Sequence, residues 1–417
     1  MAGNLGRHTD DLARAPQLPL AGVRVLECGV FQQVPAATAI LADFGADVVK
    51  IEGPGSPDPG RGILPPSPRG DASAYFESLN RNKRSISLDL KTAEGRAVLL
   101  KLAQQTDVFV QNLRHGVMDA LGLAYPVLRE VNPGLIYASG NGYGSRGPHA
   151  SWAAMDLLGQ ARAGTMMAQG SPDMEPMAGI GGMADQVGAV YLAFGIMAAL
   201  RYRDATGQGQ EVEVSLLGTQ LAMQTFNVSM TLFSGVVAPR RSREEASPFW
   251  NVFRCGDGRW ISIAGAQSER WWELMFRTLG RPDILADNRL RGFLGNPEIA
   301  KELTIIMDEI FLARSQWEWV ELLAGAGLPV GPVQDYGQVA ADPQVMANGY
   351  IESFMASDGR VYQTIGPGVQ LRETPGSVRT GAPEFGQHTE EVLLGSGYTW
   401  GQIEELRDNG VIGHPKG

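Results

Sequence analysis

In "GIGGMADQVGAVYLAFGIMAAL" (179–200), Asp185 stands where a glycine-rich turn meets a long apolar run. Two kinds of work suit it. Asp is among the best N-cap residues, because its side chain accepts hydrogen bonds from the free N–H groups of a helix's first turn. A carboxylate is also a nucleophile that forms covalent intermediates with acyl groups. The stretch by itself favours the cap, and the rest of the chain must say whether chemistry is added.

A second candidate is "NRNKRSISLDLK" (80–91), which carries Arg81, Lys83, Arg84 and Lys91. The chain as a whole is acidic, with a net charge of −10. It would therefore need local positive charge to meet a polyanion. The same run reads equally well as a solvated surface strand.

Other chemistries are disfavoured. The five histidines, at 8, 115, 149, 388 and 414, form no close pair and no HExxH spacing, so neither metal catalysis nor a histidine-centred triad is expected. Cys28 and Cys255 are the only cysteines, which leaves no disulfide framework and no CxxC pattern and suits a reducing cytoplasm. The acidic balance argues against nucleic-acid partners. The apolar run 187–200 is too short to span a bilayer and is flanked by Asp185 and Arg201, so no membrane partner is expected. "MAGNLGRHTDDLARAPQ" has no apolar core and reads as a ragged end, not an export signal.

Positioning these groups requires a scaffold. "VRVLECG" (23–29), "DVVKIEG" (47–53), "SISLDL" (85–90), "DVFVQN" (107–112) and "LIYASGNG" (135–142) predict strands bounded by turn residues. Helical patterns lie between them at 35–45, 92–106 and 125–132, with Pro35 and Thr92 where helix starts favour them. Alternating signals of this kind predict βαβ units and a mostly parallel, Rossmann-like sheet. No GxGxxG follows the first strand and no P-loop is present, which disfavours a nicotinamide dehydrogenase and an NTPase. From about 225 the texture changes. "FWNVFRCGDGRWISIAGA" (249–266) predicts a hairpin, and "ERWWELMFRTLG" (269–280) and "SQWEWVELLAGAG" (315–327) predict amphipathic helices, together a smaller α+β domain.

Several stretches taken together resemble the class III CoA-transferases, the CaiB/BaiF family of formyl-CoA transferase and carnitine CoA-transferase. They are "PLAGVRVLECGVFQQVPAATAILADFGADVVKIEGP" (19–54), "YFESLNRNKRSISLDLKTAEG" (75–95), "VQNLRHGVMDALGL" (110–123), "NPGLIYASGNGYGSRGP" (132–148), "MDLLGQARAG" (155–164), the Asp185 turn, "RDATGQGQEVEVSLLG" (203–218), "GLPVGPV" (327–333) and "GQHTEEVL" (386–393). The combination of "NRNKRSISLDLK" with "GADVVKIE" is specific, whereas "GxGPV" alone is weak.

The resemblance implies an α/β fold: a Rossmann-like large domain with a mostly parallel sheet, a smaller α+β domain, and interlocked ring-like subunits. The corresponding layout is 1–224 for the large CoA-binding domain, 225–330 for the small domain, and 331–417 for a segment returning to the large one. It implies CoA transfer from an acyl-CoA thioester to a free carboxylic acid, with Asp185 as covalent nucleophile passing through a mixed anhydride and an aspartyl-CoA thioester. The helix N-terminus is expected to keep Asp185 ionised. CoA enters as a substrate, with no tightly bound cofactor. Its binding falls on Gln32 and Gln33, on Leu88 to Lys91, on Asn112, Leu113 and Arg114, and on Met155 and Asp156. Asp156 reads independently as an N-cap to the helix that follows it. Some relatives have arginines where this chain has Gly53 and Ala120, and Arg114 or Arg129 are candidates to replace them. The implied assembly is a homodimer, or a heteromer with a related subunit.

Two other readings compete. An acyl-CoA racemase of this fold has a histidine at the position of Met155, and inversion through an enolate needs that second proton carrier. A CoA-binding subunit of a heteromeric transferase would have no need of Asp185. For the acid, Met155, Met166, Met167, Met174, Met177 and Met183 lead into the Asp185 turn, and methionine suits surfaces that fit varied apolar shapes. Trp250, Trp260, Trp271, Trp272, Trp317 and Trp319 gather in the second domain, where the alternative is core filling. These residues predict a bulky apolar or aryl acid as acceptor, such as a substituted succinate, with a short donor such as succinyl-CoA.

Overall fold

The computed structural model describes residues 18–63, 73–265, 268–356 and 359–413. The N-terminal stretch, His8 and His414 lie outside them. In chain order the large unit presents β1 (Arg24–Cys28), α1 (Gln33–Asp43), β2 (Asp47–Glu52), α2 (Ala74–Asn80), β3 (Arg84–Ser87), α3 (Ala93–Ala103), β4 (Val108–Gln111), α4 (Val117–Ala120), α5 (Tyr125–Val131), β5 (Ile136–Asn141) and α6 (Asp156–Arg162). After α7 (Thr165–Ala168) come α8 (Met183–Thr206) and β6 (Glu211–Ser215).

The six strands form one parallel sheet in the order β3-β2-β1-β4-β5-β6. Alternate residues of each strand serve opposite faces. Leu26, Val49 and Phe109 join one buried layer with α3 and α5, while Val25, Val48 and Val108 join a second with α1 and α8. Both faces are covered, as parallel sheets require. Strand order reverses between β1 and β4, and a ligand crevice forms outside the carboxyl ends of strands at such a switch.

Helix α8 is 24 residues long and apolar enough to cross a bilayer. Here Ala189, Leu192, Ala193, Ile196 and Leu200 bury one face against α1 and the sheet, the use of a core helix. The thin edge of the sheet is covered as well. Residues 386–413 bond to β3 and its exit: Asp89 N–H donates to the Val411 carbonyl at 2.8 Å, and Gly413 N–H to Ser87 Oγ at 3.0 Å. An edge paired in this way cannot template a foreign strand.

Three of the four cations in the basic run are engaged by carboxylates of the chain. Lys83 is buried against Glu27 at 2.8 Å, Arg81 pairs with Asp43 at 2.7 Å, and Arg84 pairs with Asp47 and Glu391. Lys91 alone of the four has an exposed side chain outside an ion pair among the described residues.

The second compact unit comprises Gly164–Gly179 together with Ser229–Met346. It therefore differs from the 225–330 layout, taking in the methionine-bearing loop and extending further toward the C-terminus. Strands Trp250–Arg254 and Trp260–Ala264 pair antiparallel around the Gly256-Asp257-Gly258 turn, and Val330–Val333 pairs antiparallel with the second of them. Phe253, Trp272, Phe276, Phe311 and Trp319 fill its core, while Trp250, Trp260 and Trp317 stay exposed. Within the unit, the Arg240 guanidinium donates to the carbonyls of Met166, Met167 and Met174 at 2.8, 2.8 and 2.6 Å, tying down the loop.

Candidate active site

Asp185 is not the N-cap of α8. That position is Gly182, whose φ of 79° favours glycine and which has no side chain to offer. Asp185 lies in the first helical turn, three residues on. The free N–H groups are satisfied from another helix: Asp156 Oδ1 accepts from Ala184 N–H at 2.6 Å and from Asp185 N–H at 3.2 Å, and Oδ2 accepts from Gly182 N–H at 3.1 Å. Gln160, one turn along α6, holds that carboxylate with its Nε2 at 2.8 Å. The capping reading thus passes from Asp185 to Asp156. Asp156 caps α8 and not α6, whose N-cap is Met155.

This arrangement also reverses the expected electrostatics. Burial first, and then the negative charge of Asp156, push the Asp185 carboxyl up from its ordinary 3.8 to about 7. The helix terminus does not dominate. No hydrogen bond to the Asp185 carboxylate occurs among the described residues, leaving both oxygens available.

Next to Asp185 stands the turn that follows β1. Phe31 adopts a left-handed backbone, φ 59°, and its N–H donates to Asp58 Oδ1 at 3.0 Å. Asn112 grips the same turn, accepting from Val30 N–H and donating to the Val30 carbonyl, each at 2.9 Å. Below it, Lys50 bonds Glu27 at 2.8 Å, Asp58 at 2.9 Å and the Gly29 carbonyl at 2.7 Å, and Lys83 completes the cluster on Glu27. Burial alone would raise the Glu27 carboxyl, but Lys50 and Lys83 outweigh it and hold it at about 2. This network fixes two consecutive carboxamides. Gln32 lies against Gly182, where a Cβ would come within 2.1 Å of its Nε2, and Gln33 fits between Gly140 and Gly188.

The predicted residues Gln32, Gln33, Leu88, Lys91, Asn112, Leu113, Arg114, Met155 and Asp156 all follow the carboxyl ends of β1, β3, β4 or β5. They are not equivalent there. Leu88 buries its side chain in the core, and Asn112 spends its amide on Val30, so both shape the crevice from within. Gln33 and Asp156 serve α8. Lys91 and Arg114 are exposed cations suited to phosphate. Arg114 borders a cavity of about 250 Å³ whose walls also carry the acidic Asp119, Glu211 and Glu213. Arg129 lies beside the Tyr125 ring, 5.9 Å from its centroid.

Two neighbours were missed in the sequence. Tyr75 has its hydroxyl proton held more tightly by burial and then by the charges of Asp185, Asp58 and Asp156. Asp58 anchors the Gln32 turn. In sequence, Tyr75 is one of two aromatics in a helix start, and Asp58 lies in a proline-rich loop.

Known proteins resemble this chain over most of its length. The CoA-transferase family III profile matches residues 20–389. The (R)-2-hydroxy-4-methylpentanoate CoA-transferase of Clostridioides difficile is 31% identical over 94% of this chain and 99% of its own. The succinyl-CoA–L-malate CoA-transferase alpha subunit of Chloroflexus aurantiacus is 34% identical over 90% of this chain and 88% of its own. The crystal structure of a CaiB/BaiF family protein from Brucella suis superimposes with a TM-score of 0.81 at 28% identity, covering 91% of this chain and all of that one.

Proposed function

The chain belongs to CoA-transferase family III and is a CoA-transferase, and from that premise we propose that Asp185 carries the acyl and CoA groups covalently. One Asp185 oxygen attacks the thioester carbonyl carbon of the donor. A C–O bond forms, the C–S bond breaks, and CoA leaves as thiolate, giving a mixed anhydride. The thiolate then attacks Cγ of Asp185 and expels the donor acid as carboxylate, leaving an aspartyl-CoA thioester. The acceptor carboxylate attacks Cγ in turn and releases thiolate, which finally attacks the acceptor's carbonyl and frees Asp185. Such a carrier keeps the thioester's energy through every step.

The observation that carries this reading is the division of labour at the turn. Asp156 takes up the capping hydrogen bonds, which leaves the Asp185 carboxylate half-buried and without a donor among the described residues. Incubation with acyl-CoA and then hydroxylamine or borohydride should label Asp185 in a mass spectrum of its peptide. Full transfer by Asp185→Ala would overturn the mechanism. Racemization is disfavoured because Met155, 60% exposed, has no proton to exchange.

For the acid, the reading is a bulky apolar or aryl-substituted acceptor, such as a substituted succinate, with a short donor such as succinyl-CoA. Support comes from the exposed Met167, Met174 and Met177 on the loop held by Arg240. The Clostridioides relative, named for a branched acid, is consistent with it. For assembly the reading is a dimer of interlocked subunits. An apolar groove of about 770 Å³, walled by Ile40, Phe44, Val190, Phe194, Met197 and Val369, supports a partner chain. The Chloroflexus relative is named as one of two subunit types, so a related second subunit is the alternative. Light scattering of the isolated chain at micromolar concentration should give twice the monomer mass; a monomer would count against it.

A further inference from the structure

Two polar groups on one side of α8 lack partners. The Gln33 side chain is 3% exposed, yet its Nε2 donates to nothing among the described residues. A buried amide N–H without an acceptor destabilises the resting fold, so its retention calls for an explanation. The chain has also made room for this amide. A Cβ on Gly140 would come within 2.3 Å of Gln33 Oε1, and a Cβ on Gly188 within 2.5 Å of Nε2. Neither glycine has a left-handed backbone, and Gly188 lies inside a helix, where glycine is a poor choice. Space for Gln33 is what both provide.

Gly188 follows Asp185 by three residues, so the two share a face of α8. The unpaired donor therefore sits on the side of the helix that bears the unpaired carboxylate. We propose that Gln33 is a catalytic donor to the γ-carbonyl oxygen of Asp185, engaged when Cγ is attacked; this rests on the covalent route above. Two steps of that route charge this oxygen. When the CoA thiolate attacks Cγ of the mixed anhydride, the S–C bond forms and the C=O pair moves onto oxygen; it returns as the donor acid leaves as carboxylate. When the acceptor carboxylate attacks the aspartyl thioester, the same oxygen is charged until CoA leaves as thiolate. A fixed donor on that face of α8 needs no reorganisation as the charge develops. Asp185's initial attack charges the substrate's oxygen instead, so the first acylation does not need Gln33.

The test uses Gln33→Met, which keeps length and volume but removes the donor, and Gln33→Glu, which keeps the shape but presents an acceptor. Removal of one such donor lowers kcat by about a hundredfold or more. Both variants should show that loss, with KM for the acyl-CoA within about threefold of wild type. In quenched single-turnover samples the acyl-Asp185 adduct should form at the normal rate and then accumulate, while aspartyl-CoA appears about a hundredfold more slowly. Gln33→Met should melt no lower than wild type, since it removes an unpaired buried donor. Turnover of Gln33→Met within threefold of wild type, or a clear loss of its thermal stability, would assign Gln33 to packing and overturn the proposal. An unlabelled Asp185 in wild type overturns the covalent route and this proposal with it. Labelled Asp185 with near-normal Gln33→Met turnover overturns this proposal alone.

Discussion

Asp156 accepts a hydrogen bond from the backbone N–H of Asp185 at 3.2 Å while its charge opposes ionisation of the Asp185 side chain. One carboxylate thus holds the Asp185 backbone and raises the proton affinity of its side chain. Asp156→Asn keeps an acceptor for Ala184 and Asp185 but removes the charge. The rise of kcat/KM with pH, expected near pH 7 in wild type, should move to lower pH in this variant. Profiles that coincide would remove Asp156 from the tuning of Asp185. Asp156→Ala, which loses the cap as well, should cost about 1–2 kcal/mol of stability in denaturant titrations.

Asp185→Asn should abolish transfer and change how stability depends on pH. The folded-state pKa of about 7 lies above the ordinary 3.8, so between those values the folded state binds more protons than the unfolded. Stability contributed by this group is present below about pH 4 and lost as pH rises toward 7. Asparagine does not titrate. The melting temperature of the variant relative to wild type should therefore increase from pH 5 to pH 8. A constant difference would show that the Asp185 carboxyl is not perturbed.

Lys91→Ala and Arg114→Ala should each raise KM for the CoA thioester about tenfold, the effect of losing one charge-assisted contact. Arg84→Ala supplies the contrast. Its guanidinium is engaged by Asp47 and Glu391, so KM should stay within twofold. The reverse pattern would return the CoA site to the β3 run.

Lys50→Met leaves Glu27 and Asp58 buried without their shared cation. Breaking a fully buried pair in this way costs about 3–5 kcal/mol. A chemical denaturation midpoint close to wild type would show that the cluster contributes little to the fold.

A panel of acids with a single CoA donor should rank alkyl- and aryl-substituted acids above formate, oxalate and acetate by kcat/KM. The opposite order would refute the assignment of an apolar acceptor.

The sheet was legible because its strands are β-branched runs bounded by turns, and Val25-Leu26 or Val108-Phe109 already show both faces apolar. Thr92 was legible as a cap, and its hydroxyl accepts from Gly95 N–H at 3.0 Å. The role of Asp156 was not. Capping is normally local, whereas this carboxylate acts across 29 residues, a separation no spacing rule reports. The pairing of the basic run was hidden for a related reason. Charge is visible in sequence, but the carboxylates that neutralise Lys83, Arg81 and Arg84 are supplied by distant segments. Gln33 came from the family resemblance alone, since a buried glutamine is uncommon and the glycines that make room for it, Gly140 and Gly188, are distant in sequence.

The bond between Gly413 and Ser87 spans 326 residues, and the neighbouring one joins Asp89, in the loop that bears Lys91, to Val411. Its consequence concerns biosynthesis. Domains generally begin to fold from the N-terminus while the chain is still being made. Here β3 and the Lys91 loop emerge early and wait, their edge unpaired, until residues beyond 411 have cleared the ribosome. A nascent chain can stack its first strands, but Ser87 and Asp89 must wait for their C-terminal partners. The β3 edge thus gains these two contacts only when nearly all of the described fold has been synthesised.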